Sequence, residues 1–209
     1  MEFNKDKYNN VLDFIKKSKK NTQIIAVSKY HPQESVISAL NCGVRVFGEN
    51  RVQEAENKFI KLKANYKDIE IHLTGPLQTN KVKKALEIFD FIQTLDRKKL
   101  ADEFYKYPDL LKNKKFLIQI NTGKEDTKSG IFPENADEFI SYCQNNLKLN
   151  IVGLMCIPPI SDSPTKHFIL LKKIAIKNSL FHLSMGMTDD FKDAVQEGAT
   201  YIRLGRLLF

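Results

Sequence analysis

The stretch IIAVSKYHPQESVISALNCGVRVFGEN, residues 24–50, decides the fold. It opens on Ile24–Ser28, an apolar, β-branched run that reads as a strand buried on both faces. Residues 33–42 follow with apolar side chains at helical spacing, and Asn41-Cys42-Gly43 ends that helix on a glycine. A second short run, Val44–Gly48, comes next. Strand, helix and strand in so short a span form a βαβ unit, whose strands lie parallel.

The alternation continues outward. Further strand candidates are Ile69–Leu73, Phe89–Gln93, Phe116–Ile120, Ile151–Met155, Leu180–Leu183 and Tyr201–Leu204, which makes eight with the first two. Helix candidates lie near 51–64, 79–88, 97–106, 134–146, 164–177 and 189–197. Asp96 is placed to cap the helix at 97, Pro133 suits a first turn, Asp162-Ser163-Pro164 reads as a cap followed by proline, and Gly198 ends the last helix. Eight strands alternating with helices predict an α/β fold of the (β/α)8 TIM-barrel kind. A doubly wound open sheet is the alternative, although such sheets usually have fewer strands. The 209 residues stand near the lower limit of about 200 for a barrel. The sequence given stops directly after the eighth strand, so no final helix is expected. Tyr8, Val11, Leu12 and Ile15 repeat at helical spacing, and this extra N-terminal helix is expected to pack in the missing helix's place. With no linker or low-complexity stretch, residues 1–209 are expected to form a single domain.

Composition excludes several classes. Hydrophobic residues make up 42% and charged residues 28%, the balance of a globular chain. No apolar run approaches the roughly 20 residues of a membrane span, and the opening MEFNKDKYNN has no apolar core for a secretory signal. Cys42, Cys143 and Cys156 form no C-x-x-C and have no histidine nearby, so neither zinc nor a disulfide framework is expected, and the reducing cytoplasm is the expected compartment. The net charge of +8 comes from lysines dispersed along the whole chain, so no nucleic-acid partner is expected.

Polar and glycine residues gather after the strands: Ser28-Lys29-Tyr30, Gly48-Glu49-Asn50-Arg51, Thr74-Gly75-Pro76, Asn121-Thr122-Gly123, Ser184-Met185-Gly186-Met187-Thr188 and Arg203-Leu204-Gly205. Barrel enzymes place their sites at these carboxyl ends. Lys29 follows Ile24–Val27 directly; partial desolvation would favour its neutral amine, the form that Schiff-base chemistry needs. A rim lysine with its head in water is the plainer reading. Tyr30, on an extended segment, should point away from Lys29. The Ser184–Asp189 and Arg203–Gly205 segments suit a phosphate site after strands seven and eight, with Gly186 and Gly205 admitting backbone N–H groups; helix capping and chain turning explain the same residues. Together the two features describe a site for an aldehyde that carries a phosphate. Lys128, in the loop after strand five, stands near the mouth as a cofactor relay or as a solvated side chain. His72 and His182 read as core histidines, and Cys156, Met155, Met185 and Met187 as packing.

The segments AVSKYHP (26–32), VFGENRVQEAENK (46–58), IHLTGPLQTNKVK (71–83), QTLDR (93–97), QINTGKEDTKSGI (119–131), IVGLMCIPP (151–159), LSMGMTDDFKDAVQEGAT (183–200) and IRLGRLLF (202–209) run in the order of a known family. The sequence resembles the pyridoxal phosphate homeostasis proteins. The resemblance implies the barrel fold of the N-terminal domain of alanine racemase and pyridoxal 5′-phosphate (PLP) as cofactor. By the same resemblance Lys29 holds PLP as an internal aldimine, Arg203 faces the pyridine nitrogen, Asn50 stands beside the ring, and Ser184, Gly205 and the backbone around Met185 and Arg206 form the phosphate cup. Arg206 departs from the family, which usually has Thr or Ser there.

A guanidinium beside the ring nitrogen leaves PLP a weak electron sink, and with 209 residues the β domain that supplies alanine racemases with a tyrosine base is not expected here. The resemblance thus implies PLP homeostasis and delivery without efficient catalysis, with PLP-dependent apoenzymes as recipients and a monomeric chain. A racemase-like PLP enzyme is the alternative, and a phosphate-binding barrel without PLP a third class.

Overall fold

Eight parallel strands close on themselves in the computed structural model, which describes residues 2–209. The strands are β1 (Gln23–Val27), β2 (Val46–Glu49), β3 (Glu70–Leu73), β4 (Phe91–Leu95), β5 (Lys115–Ile120), β6 (Ile151–Cys156), β7 (His182–Ser184) and β8 (Tyr201–Leu204). Each pairs with its sequence neighbour, and β8 pairs with β1 through Ile24↔Ile202 and Ala26↔Leu204. The expected (β/α)8 barrel is present; an open sheet would leave β1 and β8 unpaired.

The helices are α1 (Lys5–Lys17), α2 (Gln33–Asn41), α3 (Val52–Asn65), α4 (Val82–Ile88), α5 (Lys98–Tyr105), α6 (Ala136–Ser141), α7 (Pro164–Lys177) and α8 (Phe191–Glu197). Helix α1 precedes the barrel and buries Val11 and Ile15. Phe14 meets Phe191 of α8 edge-on, and the Asn4 amide donates to the Leu208 carbonyl at 2.7 Å. This helix therefore packs beside the end of β8, as expected, although Leu12 of the same stripe is 41% exposed.

Three strands start later than their apolar runs suggest, for one reason. The amides of Val44, Phe89 and Leu180 donate back to Ala39, Ala85 and Ala175. Each apolar residue closes the preceding helix, and the strand begins two positions further on. Asp96 does not cap α5. Its Oδ1 instead accepts from Arg97 Nη1 at 2.5 Å, and Arg97 occupies the cap position with no side-chain bond to the helix. Pro133 opens a 3₁₀ turn before α6, and a π-helical turn, Tyr142–Asn146, ends that segment.

Strand alternation sorts side chains into two cores. Ile24, Ala26 and Phe47 face the helices, within a shell that also holds Phe59, Phe104 and Phe116. Ile25, Val27, Val46, Phe91, Leu117, Met155 and Tyr201 fill the lumen. Each fully buried large side chain contributes about 1.5–3 kcal/mol.

Candidate functional site

Lys29 follows β1 on lumen parity, two residues after Val27, and is half-buried. Among the described residues no carboxylate pairs with its ammonium. Its segment is held from the helix side. Ser28 Oγ donates to Glu49 Oε1 at 2.6 Å, and Lys58 Nζ of α3 donates both to that oxygen and to the Ser28 carbonyl at 2.8 Å. Glu49 is fully buried, and burial pushes its carboxyl above the usual range against the pull of Lys58 and Ser28. Glu54 Oε2 accepts from the Tyr30 amide at 3.1 Å and so ties down the next residue.

Tyr30 corrects an expectation. Its φ is 65°, in the left-handed region, so the segment is not extended there and alternation fails. The ring lies over Lys29, with Nζ 5.7 Å from its centroid, and the Arg51 guanidinium lies 5.6 Å away.

Asn50, half-buried after β2, accepts from Thr74 Oγ1 at 3.0 Å through Oδ1. Gly205 follows the residue paired with Ala26, so it stands beside the end of β1; a Cβ there would sit 3.2 Å from the Val27 carbonyl. Gly205 thus stands beside Val27, two residues before Lys29, across the closing strand pair.

Ser184 and Arg203 lie deeper. Arg203 is 5% exposed and Ser184 fully buried. Arg203 Nη1 donates to Ser184 Oγ at 2.7 Å, and Nη2 to the Cys156 carbonyl at 2.8 Å. Burial pushes the guanidinium's pKa down, and no carboxylate among the described residues is hydrogen-bonded to it. Ser184 Oγ lies 2.6 Å from Gln93 Oε1, so its proton is directed into the barrel rather than toward a phosphate. The amide of Met185 is bonded to the Tyr201 carbonyl, that of Met187 to Asp190 Oδ1. Gly186, at φ 92°, is required by α8, because a Cβ would fall 2.5 Å from that of Ala194. Arg206 points to solvent and pairs with Asp189 at 2.8 Å, both about four-fifths exposed.

Two cavities open at the carboxyl ends of the strands. One of about 620 Å³ is lined by Thr74, Gln119, Asn121, Lys128, Pro158 and Met187, among others. The other, about 690 Å³, takes in Tyr30, Asn50, Arg51, Gln78 and Arg97. Both include Pro76 and Ser129, so they adjoin. Their size suits a small organic ligand. Lys29, Ser184, Arg203 and Gly205 line neither. Lys128 is exposed in a loop whose neck is closed: Ile131 donates to Gln119, Asn121 to Ile131, and Asn121 Nδ2 to the Glu125 carbonyl at 2.8 Å. Cys156 is fully buried, and burial pushes its thiol up to about 12, so only its carbonyl serves the site.

Of the residues that hold the site together, Ser28 and Glu49 stood in the polar runs after β1 and β2 with no role assigned, and Lys58 and Gln93 were not singled out. For Glu49 and Gln93 the signal was a polar residue in a strand otherwise buried on both faces, which requires a partner. His72 is the core histidine expected, stacked on Phe91 with centroids 4.5 Å apart. No group of three or more metal-ligating side chains occurs among the described residues, and no helix among them is long and apolar enough to cross a membrane.

Comparison with known proteins agrees with this fold. The family profile "Alanine racemase, N-terminal domain" matches residues 6–209. A pyridoxal phosphate homeostasis protein of Aquifex aeolicus is 41% identical over 199 residues, covering 90% of this chain and 86% of that one. The structure of PipY from Synechococcus elongatus superposes with a TM-score of 0.89 without PLP, at 33% identity over 98% of this chain and 99% of that one. With PLP bound, PipY superposes at 0.82, with 31% identity and the same coverage. An alanine racemase of Clostridium difficile shares the fold alone, at 16% identity and a TM-score of 0.74 over 99% of this chain and 57% of that one. The chain belongs to the pyridoxal phosphate homeostasis proteins, built on the alanine racemase N-terminal barrel.

Proposed function

We propose that this protein binds PLP at the carboxyl mouth of its barrel, holds it on Lys29, and serves PLP homeostasis and delivery without efficient catalysis. The observation that carries this reading is Lys29 itself, a half-buried amine two residues past the lumen residue Val27, with no carboxylate among the described residues to hold it as a salt bridge. A relative of the same fold, PipY, has a structure with PLP bound. The donor set fits the group. PLP supplies an aldehyde that condenses with an amine and a ring that withdraws electrons. Arg203 offers only hydrogens to the ring nitrogen and so keeps it unprotonated and its electron demand low. Asn50, fixed by Thr74, orients the ring. Gly205 and the Arg206 backbone take the phosphate side, while the Ser184 hydroxyl stays with Arg203 and Gln93 and the Met185 amide with Tyr201. Arg206's own side chain stays with Asp189. Residues 1–209 act as one PLP-binding domain, monomeric and cytoplasmic, with PLP-dependent apoenzymes as recipients.

Borohydride reduction of the PLP-treated protein, followed by peptide mass mapping, tests this. A single pyridoxyl adduct on Lys29, absent from Lys29→Ala, is the expected result. No adduct, or one scattered over surface lysines, would overturn it. The racemase-like second reading rests on Tyr30, whose ring lies beside Lys29. Exchange of the alanine α-proton in heavy water, well above that of free PLP and lost in Tyr30→Phe, would establish it against the carrier.

A further inference from the structure

A chain of hydrogen bonds crosses the lumen beneath the site. Arg203 on β8 donates to Ser184 on β7 at 2.7 Å, and Ser184 Oγ is 2.6 Å from Gln93 on β4. Gln93 Nε2 is 2.7 Å from His72 Nδ1 on β3, and His72 Nε2 is 2.7 Å from Glu70 Oε1 at the start of β3. Four strands are linked, from the foot of the barrel to the arginine below the mouth.

The direction of every bond is forced from both ends. A guanidinium only donates, so Ser184 Oγ accepts and sends its own proton to Gln93. The amide oxygen of Gln93 therefore faces Ser184 and its NH₂ faces His72, whose Nδ1 must be bare. A neutral imidazole then carries its proton on Nε2, aimed at Glu70. From the other end, the bond from His72 holds the Glu70 carboxyl below its ordinary range, an acceptor, while burial disfavours the charged form of His72. Both ends demand the same polarity. His72 is fully buried and Gln93 likewise, so neither has water as a substitute partner.

We propose that Gln93 and His72, anchored by Glu70, are positioning residues for Arg203: they fix the Ser184 hydroxyl as an acceptor and thereby hold the guanidinium across the floor of the PLP site. This rests on the reading of Arg203 as the arginine that faces the cofactor ring. Gln93 is the only member that both donates and accepts through one amide, so it is the link to cut. Gln93→Met keeps the length and removes both bonds. Ser184 is then free to turn its proton, and the guanidinium loses its fixed partner.

PLP titration and the visible spectrum of the bound cofactor test the proposal on wild type, Gln93→Met and Arg203→Ala. The expected result is about tenfold weaker binding in Gln93→Met, the loss of one hydrogen bond to a charged group, with the band displaced in the same direction as in Arg203→Ala. A Gln93→Met protein with wild-type affinity and band, alongside an altered Arg203→Ala, overturns the positioning role and leaves the cofactor reading intact. Unchanged Arg203→Ala overturns the cofactor reading and this proposal with it. Should Gln93→Met fail to fold, His72→Phe, which keeps the ring stacked on Phe91, takes its place with a smaller shift of the same sign. The nitrogen-15 shifts of His72 in the cofactor-free wild type give an independent check. Protonation on Nε2 is expected, and a proton on Nδ1 overturns the chain's polarity.

Discussion

The two faces of the same strands do different work. Outward, β1 and β2 present Ile24, Ala26 and Phe47 to a shell where Phe47 meets Phe59 at 5.4 Å and Phe104 meets Phe116 at 4.9 Å. Inward, Ile25 and Val27 share the lumen with Glu70, His72, Gln93, Ser184 and Arg203, all linked by hydrogen bonds. Packing in the shell is non-directional and tolerates exchange of like volumes. The lumen is directional, and its polar side chains are held by bonds to specific partners. Stability is thus vested mainly in the shell and geometry of the site in the lumen.

The largest expected effect falls where the two regions meet. Lys58→Met leaves Glu49 buried with only Ser28 as partner, and the loss expected at neutral pH is about 3–5 kcal/mol. Because burial already raises the Glu49 pKa, the folded state holds that proton more tightly than the unfolded chain. Stability of the variant should therefore recover as pH falls below the raised value, and urea titrations at several pH values check it. This outer-shell change should also weaken PLP binding, since Lys58 holds the carbonyl that precedes Lys29. Phe59→Ala sharpens the contrast: about 3 kcal/mol lost in urea unfolding, with the spectrum of bound PLP unmoved. A displaced band would break the separation of the two regions.

The histidines give a smaller, pH-dependent effect. His72 and His182 both lie below the ordinary 6.5 through burial, so the folded state resists protonating them and stability rises as pH climbs toward 6.5. His72→Phe should flatten this slope by at most one proton, about 1.4 kcal/mol per pH unit. Glu70 acts in a lower window: its carboxyl is held below the ordinary 4.5, and the stability it adds disappears as pH falls through that depressed value. The smallest effect is Arg206→Ala at the exposed rim, expected to alter neither unfolding nor PLP affinity by more than about half a kcal/mol.

The shell was legible in the sequence because apolar periodicity is its whole code. The alternation at residues 24–50 was enough to order strands and helices, and Gly43 and Gly198 marked helix ends. The misplacements came where one apolar residue answers to two elements, as with Val44, Phe89 and Leu180, which close helices before the strands begin. Lys29 and Gly205 were legible from their places after β1 and β8. The Ser184–Gln93 bond was not, because the two residues stand 91 positions apart. A lumen contact between β4 and β7 leaves no periodic trace; only the closed barrel brings its partners together. Tyr30 was misread because nothing in the sequence marks it for a left-handed turn.

The loop that carries Lys128 has a closed neck, where Ile120 bridges Ile131 and the Asn121 side chain grips Glu125 on both sides. A neck of this kind makes the loop a natural point of insertion. The barrel is indifferent to the length of a ring whose ends are already joined, and doubling such a ring costs only about 0.6 kcal/mol in closure entropy. A short peptide bearing a fluorophore, spliced between Glu125 and Lys128, would ride above the mouth on a fixed base and report each arrival and departure of a ligand in real time.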